Sequence, residues 1–200
     1  MLRVGIIATE FSADLLGSRL ISKLKQISNI ELFGIGLNNL ESQGLKTTDI
    51  EISSLHVMGI IDPLKNIHKI LQIRKNITKF LLENNIDVFI GVDAPDFNMG
   101  IHKVMKSNNI STIQLVSPSV WAWRRGRINK IKKYIDCTLC LFPFEKNFYD
   151  MSNTHAIFVG HPFSAIIPFT NAEGPQDQYI SLLPGSRDSE LKYMLPTMLD

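Results

Sequence analysis

Apolar residues follow two alternating rhythms along this chain, short continuous runs and longer stretches with helical spacing. Leu2–Ala8 is an apolar run interrupted only by Arg3, the pattern of a strand buried on both faces. Leu16, Leu20, Leu24 and Ile27 then recur at helical intervals, with Ser12 or Asp14 placed to cap that helix. Ile30–Gly36 reads as a second strand, and Glu51-Ile52 as the end of a short third. A long helix is expected over residues 64–82, carried by Leu64, Ile67, Ile70, Leu71, Ile77 and Leu81, with Pro63 opening its first turn. Asp87–Val92 predicts a strand, Met99–Lys106 a helix and Thr112–Val116 a strand. Ile128, Ile131 and Ile135 mark the apolar side of the next helix. A strand at 136–141, a helix after Pro143 and a strand at His155–Val159 complete the series.

Strands alternating with helices predict an α/β fold, a Rossmann-like parallel sheet with right-handed crossovers and helices on both faces. That domain is expected over residues 1–159. Pro162, Pro168, Gly174 and Pro175 interrupt the rhythm and make 160–178 a linker. Tyr179–Leu183 then predicts a new strand and Arg187 a new helix, so 179–200 reads as the first βα unit of a second domain. One strand and one helix cannot bury a sheet, so this second domain is expected to be truncated.

Composition narrows the class. With 200 residues, 44% hydrophobic and 20% charged, the chain is an ordinary globular one. A net charge of +2 gives no global argument for nucleic acid. No apolar run approaches the roughly eighteen residues that a membrane-spanning helix needs. Val4–Ala8 is too short for a signal-peptide core, which predicts a cytoplasmic protein. Cys137 and Cys140 have the C-x-x-C spacing. They fall in an expected strand, where residues three apart face opposite ways, and no second ligand pair lies nearby. They are read as core thiols, and no metal is expected.

The candidate chemistry lies after the strands, because an open α/β sheet binds ligands outside the carboxyl ends of its strands. Thr9 to Asp14 follow the first strand without a G-x-G-x-x-G or a P-loop, which excludes those nucleotide motifs. Ser12 and Asp14 are open to two readings, helix caps or ligand contacts, whereas Glu10 has no evident capping task. After the strand ending at Val92 come Asp93 and Asp96, competing candidates for a base; Asp96 is placed to cap the following helix and is read as structural. Residues 117–149, SPSVWAWRRGRINKIKKYIDCTLCLFPFEKNFY, hold both tryptophans. Trp121 and Trp123 stand beside Arg124, Arg125 and Arg127, after the strand end at Ser117, and guanidinium groups pair bidentately with phosphate. Lys130, Lys132 and Lys133 fall opposite the isoleucine stripe and read as a solvated face. In LLPGSR, residues 182–187, the helix start with Ser186 and Arg187 is a ready diphosphate site. Ile61, Leu64, Ile67, Ile70 and Leu71, flanked by Lys65 and Lys69, fit either a core stripe or an interfacial one. His161 is left without an assigned role.

Six blocks occur in one order: ATEFSADLLGSRLI (8–21), VMGI (57–60), GVDAPDFN (91–98), the 117–149 stretch, FVGHP (158–162) and LLPGSR. Together they resemble the lipid A disaccharide synthase family of GT-B glycosyltransferases, in its N-terminal half. Glu10, Ser12, Asp14 and Gly17 match the family pattern, while Thr9 and Ala13 stand where it usually has glycines. The resemblance implies transfer of 2,3-diacylglucosamine from its UDP conjugate to 2,3-diacylglucosamine 1-phosphate, with inversion, release of UDP and no cofactor. It implies Asp93 as the base that takes the acceptor hydroxyl proton, with Glu10 as a second catalytic group. Ser12, Asp14, Ser117, the tryptophans, Arg124, Arg125, Arg127, Ser186 and Arg187 would contact substrate. The stripe from Ile61 to Leu71 would meet acyl chains or an anionic inner-membrane surface, making the protein cytoplasmic and peripherally membrane-bound. The 200 residues alone would transfer no sugar. Two alternatives stand beside this reading, a UDP-sugar epimerase of GT-B architecture and a non-catalytic phosphoglycolipid-binding module.

Overall fold

A computed structural model describes residues 1–48, 67–120, 126–165, 167, 180–185 and 188–199. Glu51-Ile52, Ile61, Leu64, Trp121, Trp123, Arg124, Arg125, Ser186 and Arg187 lie outside the described residues. The chain divides into two compact units, Met1–Ile166 and Ile167–Asp200.

In the first unit, strands β1 (Leu2–Ile7), β2 (Ile30–Ile35), β3 (Leu45–Lys46), β4 (Val88–Val92), β5 (Ser111–Leu115), β6 (Cys137–Cys140) and β7 (Ala156–Phe158) form one sheet. Its order is β3-β2-β1-β4-β5-β6-β7 and every described pairing is parallel. The helices are α1 (Phe11–Lys25), α2 (Asn38–Glu41), α3 (Ile67–Glu83), α4 (Pro95–Ser107), α5 (Arg127–Tyr134) and α6 (Pro143–Met151). A 3-10 turn at Pro162–Ala165 closes the unit. The expected Rossmann-like sheet is present. Its order reverses between β1 and β4, the point where such sheets open a crevice.

Period-two alternation separates the two cores. Val4, Ile6 and Ala8 pack with Ala13, Ile21, Leu32, Ile90 and Val92 on the α1 side. Ile7, Phe33, Ile35 and Phe89 pack with Ile73, Ile77, Leu81, Ile101 and Met105 of α3 and α4 on the other. A third cluster joins Val120, Ile131, Ile135, Cys140 and Tyr149 at the β6–β7 end. Each isoleucine or leucine buried this completely contributes about 2 kcal/mol. Gly34 is required by the close approach of β2 to β1. A Cβ there would stand 1.9 Å from the Ile6 carbonyl oxygen, and its φ is +143°.

Several boundaries moved. Strand β3, Leu45–Lys46, pairs with Leu32 and Phe33, while the strand end expected at Glu51-Ile52 falls outside the described residues. Helix α4 starts at Pro95 rather than at Met99, since proline at the first helical position needs no N–H partner. Ile27 lies past the end of α1 and is 81% exposed, so the α1 stripe ends at Leu24. Cys140 is fully buried, its thiol pushed up to about 12 by that burial, while Cys137 is half-buried.

In the second unit, helix α7 (Asp188–Leu199) forms close to where a helix was expected. Ile180–Leu183 carries no strand pairing among the described residues, and Ile180 and Leu183 are exposed. A strand exists through hydrogen bonds to a neighbour, and among the described residues this segment has none.

Candidate functional site

The site is built at the carboxyl ends of β1, β4 and β5. Strands β1 and β4 are neighbours, with Ile6 opposite Ile90 and Ile7 opposite Gly91. Their carboxyl ends therefore bring the loop carrying Glu10 beside the loop carrying Asp93, although 83 positions separate the two residues in sequence. Glu10 is exposed at the N-cap position of α1 in extended conformation, and its side chain makes no capping hydrogen bond. Phe11 and Ser12 in the first turn are exposed beside it.

Asp93 and Ala94 both adopt left-handed backbone, with φ of 51° and 39°. Such a conformation costs an L-residue about 1–2 kcal/mol and persists only where its surroundings hold it. Here the holding groups are explicit. The Asp93 N–H donates to the Leu115 carbonyl at 2.9 Å. The Asp93 carbonyl accepts from Asn98 Nδ2 at 2.8 Å and from Gln114 Nε2 at 3.0 Å. Gln114 Nε2 also reaches the carbonyls of Leu115 (3.1 Å) and Val116 (3.3 Å), and Val116 is itself left-handed at φ 72°. A β-branched residue at positive φ is an outlier, so β5 ends in the same kind of enforced turn as β4.

Behind Gln114 lies His102, 2.9 Å from Nε2 to Oε1. Every partner of the Gln114 amide nitrogen is a carbonyl, so Oε1 is the acceptor and His102 donates through Nε2–H. Burial holds the His102 pKa down to about 4, against the smaller opposing effects of Gln114 and Asp136. Gly91 makes room for this pair. A Cβ there would fall 2.8 Å from Gln114 Oε1 and 2.9 Å from His102 Nε2. Sequence reasoning assigned no role to Asn98, His102 or Gln114. The signal was present as a glutamine between Ile113 and Leu115 in β5, and as Asn98 and His102 one helical turn apart.

Other expected site residues have internal partners. Asp14 is fully buried and caps a different helix from its own. Its carboxylate accepts the N–H groups of Leu37 (2.7 Å), Asn39 (2.9 Å) and Leu40 (3.2 Å) at the start of α2. Ser117 is buried, its hydroxyl 3.1 Å from the Tyr149 hydroxyl and 3.0 Å from the Pro118 carbonyl. Both side chains are engaged by partners within the fold. Arg127 pairs with Asp96, its Nη2 at 2.6 and 2.5 Å from the two carboxylate oxygens. Asp96 thus sits in the first turn of α4 and ties it to α5. It does not occupy the cap, which Ala94 takes.

The loops after β1, β4 and β5 lie at one end of the sheet, and a second feature stands at the ends of β6 and β7. Phe142 stacks on Phe144 (centroids 5.9 Å) and on His161 (6.1 Å), and His161 lies 4.8 Å from Phe163. His161 Nδ1 accepts the Phe163 N–H at 3.2 Å, which gives this histidine a place at the close of the first unit. Of the apolar stripe, Ile67 and Leu71 are exposed on the first turns of α3, and Ile70 packs partly against the core. No helix among the described residues is long and apolar enough to cross a membrane.

Comparison with known proteins shows which family the chain resembles. A family model described as lipid-A-disaccharide synthetase matches residues 4–200. The lipid-A-disaccharide synthase of Acinetobacter baylyi is 42% identical over 99% of this chain and 53% of its own length. That of Idiomarina loihiensis is 42% identical over 98% and 54%. Lipid-A-disaccharide synthase 2 of Legionella pneumophila (strain Lens) is 41% identical over 99% and 54%. The chain spans about half the length of the curated relatives it matches.

Proposed function

This chain belongs to the lipid-A-disaccharide synthetase family, and from that premise we propose that it is the acceptor-side part of a GT-B glycosyltransferase. The reaction is transfer of 2,3-diacylglucosamine from its UDP conjugate to the 6-hydroxyl of 2,3-diacylglucosamine 1-phosphate. The acceptor oxygen attacks the anomeric carbon from the face opposite UDP. A new C–O bond forms as the bond to the diphosphate breaks, and that electron pair leaves with UDP. The hydroxyl proton goes to a base, and the product is β-1,6-linked. Family membership favours the transferase over an epimerase of the same architecture, and an enforced, strained turn under an acidic residue favours it over a passive binding module.

The observation that carries the proposal is Asp93 at the end of β4, at the switch point, on a turn held in left-handed conformation. Asp93 is the base. Glu10, in the loop after the neighbouring strand β1, and the exposed Ser12 lie at the same end of the sheet. Trp121, Trp123, Arg124 and Arg125 follow the β5 end in sequence and suit the acceptor phosphate, as Ser186 and Arg187 suit the diphosphate of UDP. The exposed Ile67 and Leu71 support contact of α3 with acyl chains or an anionic membrane surface, consistent with a peripheral protein of the cytoplasmic side of the inner membrane.

The test is Asp93→Asn in the full-length enzyme. Turnover should fall by about two decades or more with both Michaelis constants little changed, as for loss of a general base. Near-normal turnover would transfer the role to Glu10.

A further inference from the structure

The strain at Asp93 and the buried polar groups beneath it belong to one device. Asn98, His102 and Gln114 are all buried to 1% exposure or less, and polar side chains are rarely withdrawn so completely without a task. Gln114 stands on β5 and Asn98 and His102 on α4, so the three come from the two elements that flank the β4–α4 turn. Two of them converge on a single carbonyl. Asn98 and Gln114 both donate to the Asp93 carbonyl oxygen, which belongs to the peptide between the two left-handed residues. Asn98 Nδ2 also lies 3.5 Å from the Val92 carbonyl at the end of the strand.

The hydrogen-bond polarity runs one way. The three carbonyls facing Gln114 Nε2 fix that end of the amide as the donor, and His102 Nε2–H holds the other end at Oε1. A flipped Gln114 would aim an oxygen at three carbonyls. The neutral imidazole, edge-on to Phe89 with centroids 4.9 Å apart, is thus the anchor of the chain His102 to Gln114 to Asp93. Gly91 leaves the space in which His102 and Gln114 meet.

We infer that Gln114 and Asn98, with His102 anchoring Gln114, are positioning residues that set the Asp93 turn and so hold its carboxylate ready for the acceptor hydroxyl. This rests on the reading of Asp93 as the base. Such residues act only through Asp93. Their loss lowers the rate of the chemical step and leaves substrate affinity alone, because geometry at a reacting group matters more in the transition state than in the bound ground state.

The experiment is a set of variants in the full-length enzyme, with melting temperature checked for each. Gln114→Leu should lower kcat about thirtyfold and leave both KM values within about twofold. His102→Leu keeps Gln114 but removes its anchor, and kcat should fall about tenfold. His102→Gln places an amide N–H where Nε2–H stood and should recover kcat to within about threefold of the parent. In the Asp93→Asn background the same substitutions should cost no further kcat, since no base remains to be positioned. Folded single variants with unchanged kcat, or losses that simply add to that of Asp93→Asn, overturn the inference while the base assignment stands. Normal turnover by Asp93→Asn alone removes the base assignment, and the inference with it. If Gln114→Leu fails to fold, the His102 pair and its rescue decide the matter by themselves.

Discussion

At the scale of single residues, His102 gives the clearest pH signature. Burial holds its pKa at about 4, against an ordinary value of 6.5, so the folded protein keeps the imidazole neutral where the unfolded chain protonates it. The unfolded state then binds more protons between those two values, and stability falls as pH drops through that window. The contribution is complete above pH 6.5 and is lost progressively toward pH 4, on the order of 3 kcal/mol in all. Denaturant titrations at pH 7.5, 6 and 5 should show this slope in the parent and a flatter one in His102→Gln. Equal slopes in the two proteins would mean that the imidazole gains a proton without leaving its pocket. The Glu145 carboxyl, raised by burial, is common to both proteins, so the difference between their slopes isolates the histidine.

Single elements divide their labour along their length, and α3 shows it. Ile73, Ile77 and Leu81 are buried against the sheet, while Ile67 and Leu71, one turn apart near its start, are exposed. One helix therefore serves as core at one end and as apolar surface at the other. Replacing Ile67 and Leu71 together by serine should reduce binding to vesicles containing phosphatidylglycerol severalfold, with a melting temperature within about 3 °C of the parent. Ile77→Ser is the contrast, expected to lower the melting temperature by about 10 °C or more, because it buries an unpaired hydroxyl and opens a cavity. Unchanged vesicle binding by the double variant would remove α3 from the membrane surface. The same division holds for α4. Its buried face carries Ile101 and Met105 for packing and Asn98 and His102 for the Asp93 turn.

At the scale of the whole molecule, the first unit has what a folding domain needs. It has a seven-stranded sheet, two apolar layers and a third cluster at its far edge. Residues 1–166 should unfold in one cooperative transition by calorimetry, and separate transitions would show that the β6–β7 cluster melts independently. The second unit differs. Among its described residues Leu182, Leu183, Tyr193, Met194 and Leu199 are exposed. A pocket for UDP needs more than this, since catalysis by proximity and leaving-group stabilisation requires both substrates held at once. The 200-residue chain given both substrates should therefore form no disaccharide. Measurable product would place the donor site within this half.

Much of this architecture was legible in the chain because burial writes itself as period. Runs such as Leu2–Ala8 must be strands covered on both sides, and spacing such as Ile70, Ile77 and Leu81 must be a helix with one covered face. Proline and glycine marked the ends, and strand ends in a parallel α/β sheet point to the site, so Glu10 and Asp93 were identifiable as candidates. What the sequence left open is what depends on elements distant along the chain. Asp14 read as a possible ligand contact because its partners, Leu37 to Leu40, come from another helix; Ser117 likewise, because Tyr149 lies 32 positions away. The left-handed turn at Asp93 was hidden for the same reason. Local preference disfavours it for aspartate and alanine, and it stands only because Asn98 and Gln114, brought in by α4 and β5, hold the Asp93 carbonyl from two sides. Periodicity records which face of an element is buried, but hydrogen-bond partners across a fold leave no periodic trace, and only packing in three dimensions decides them.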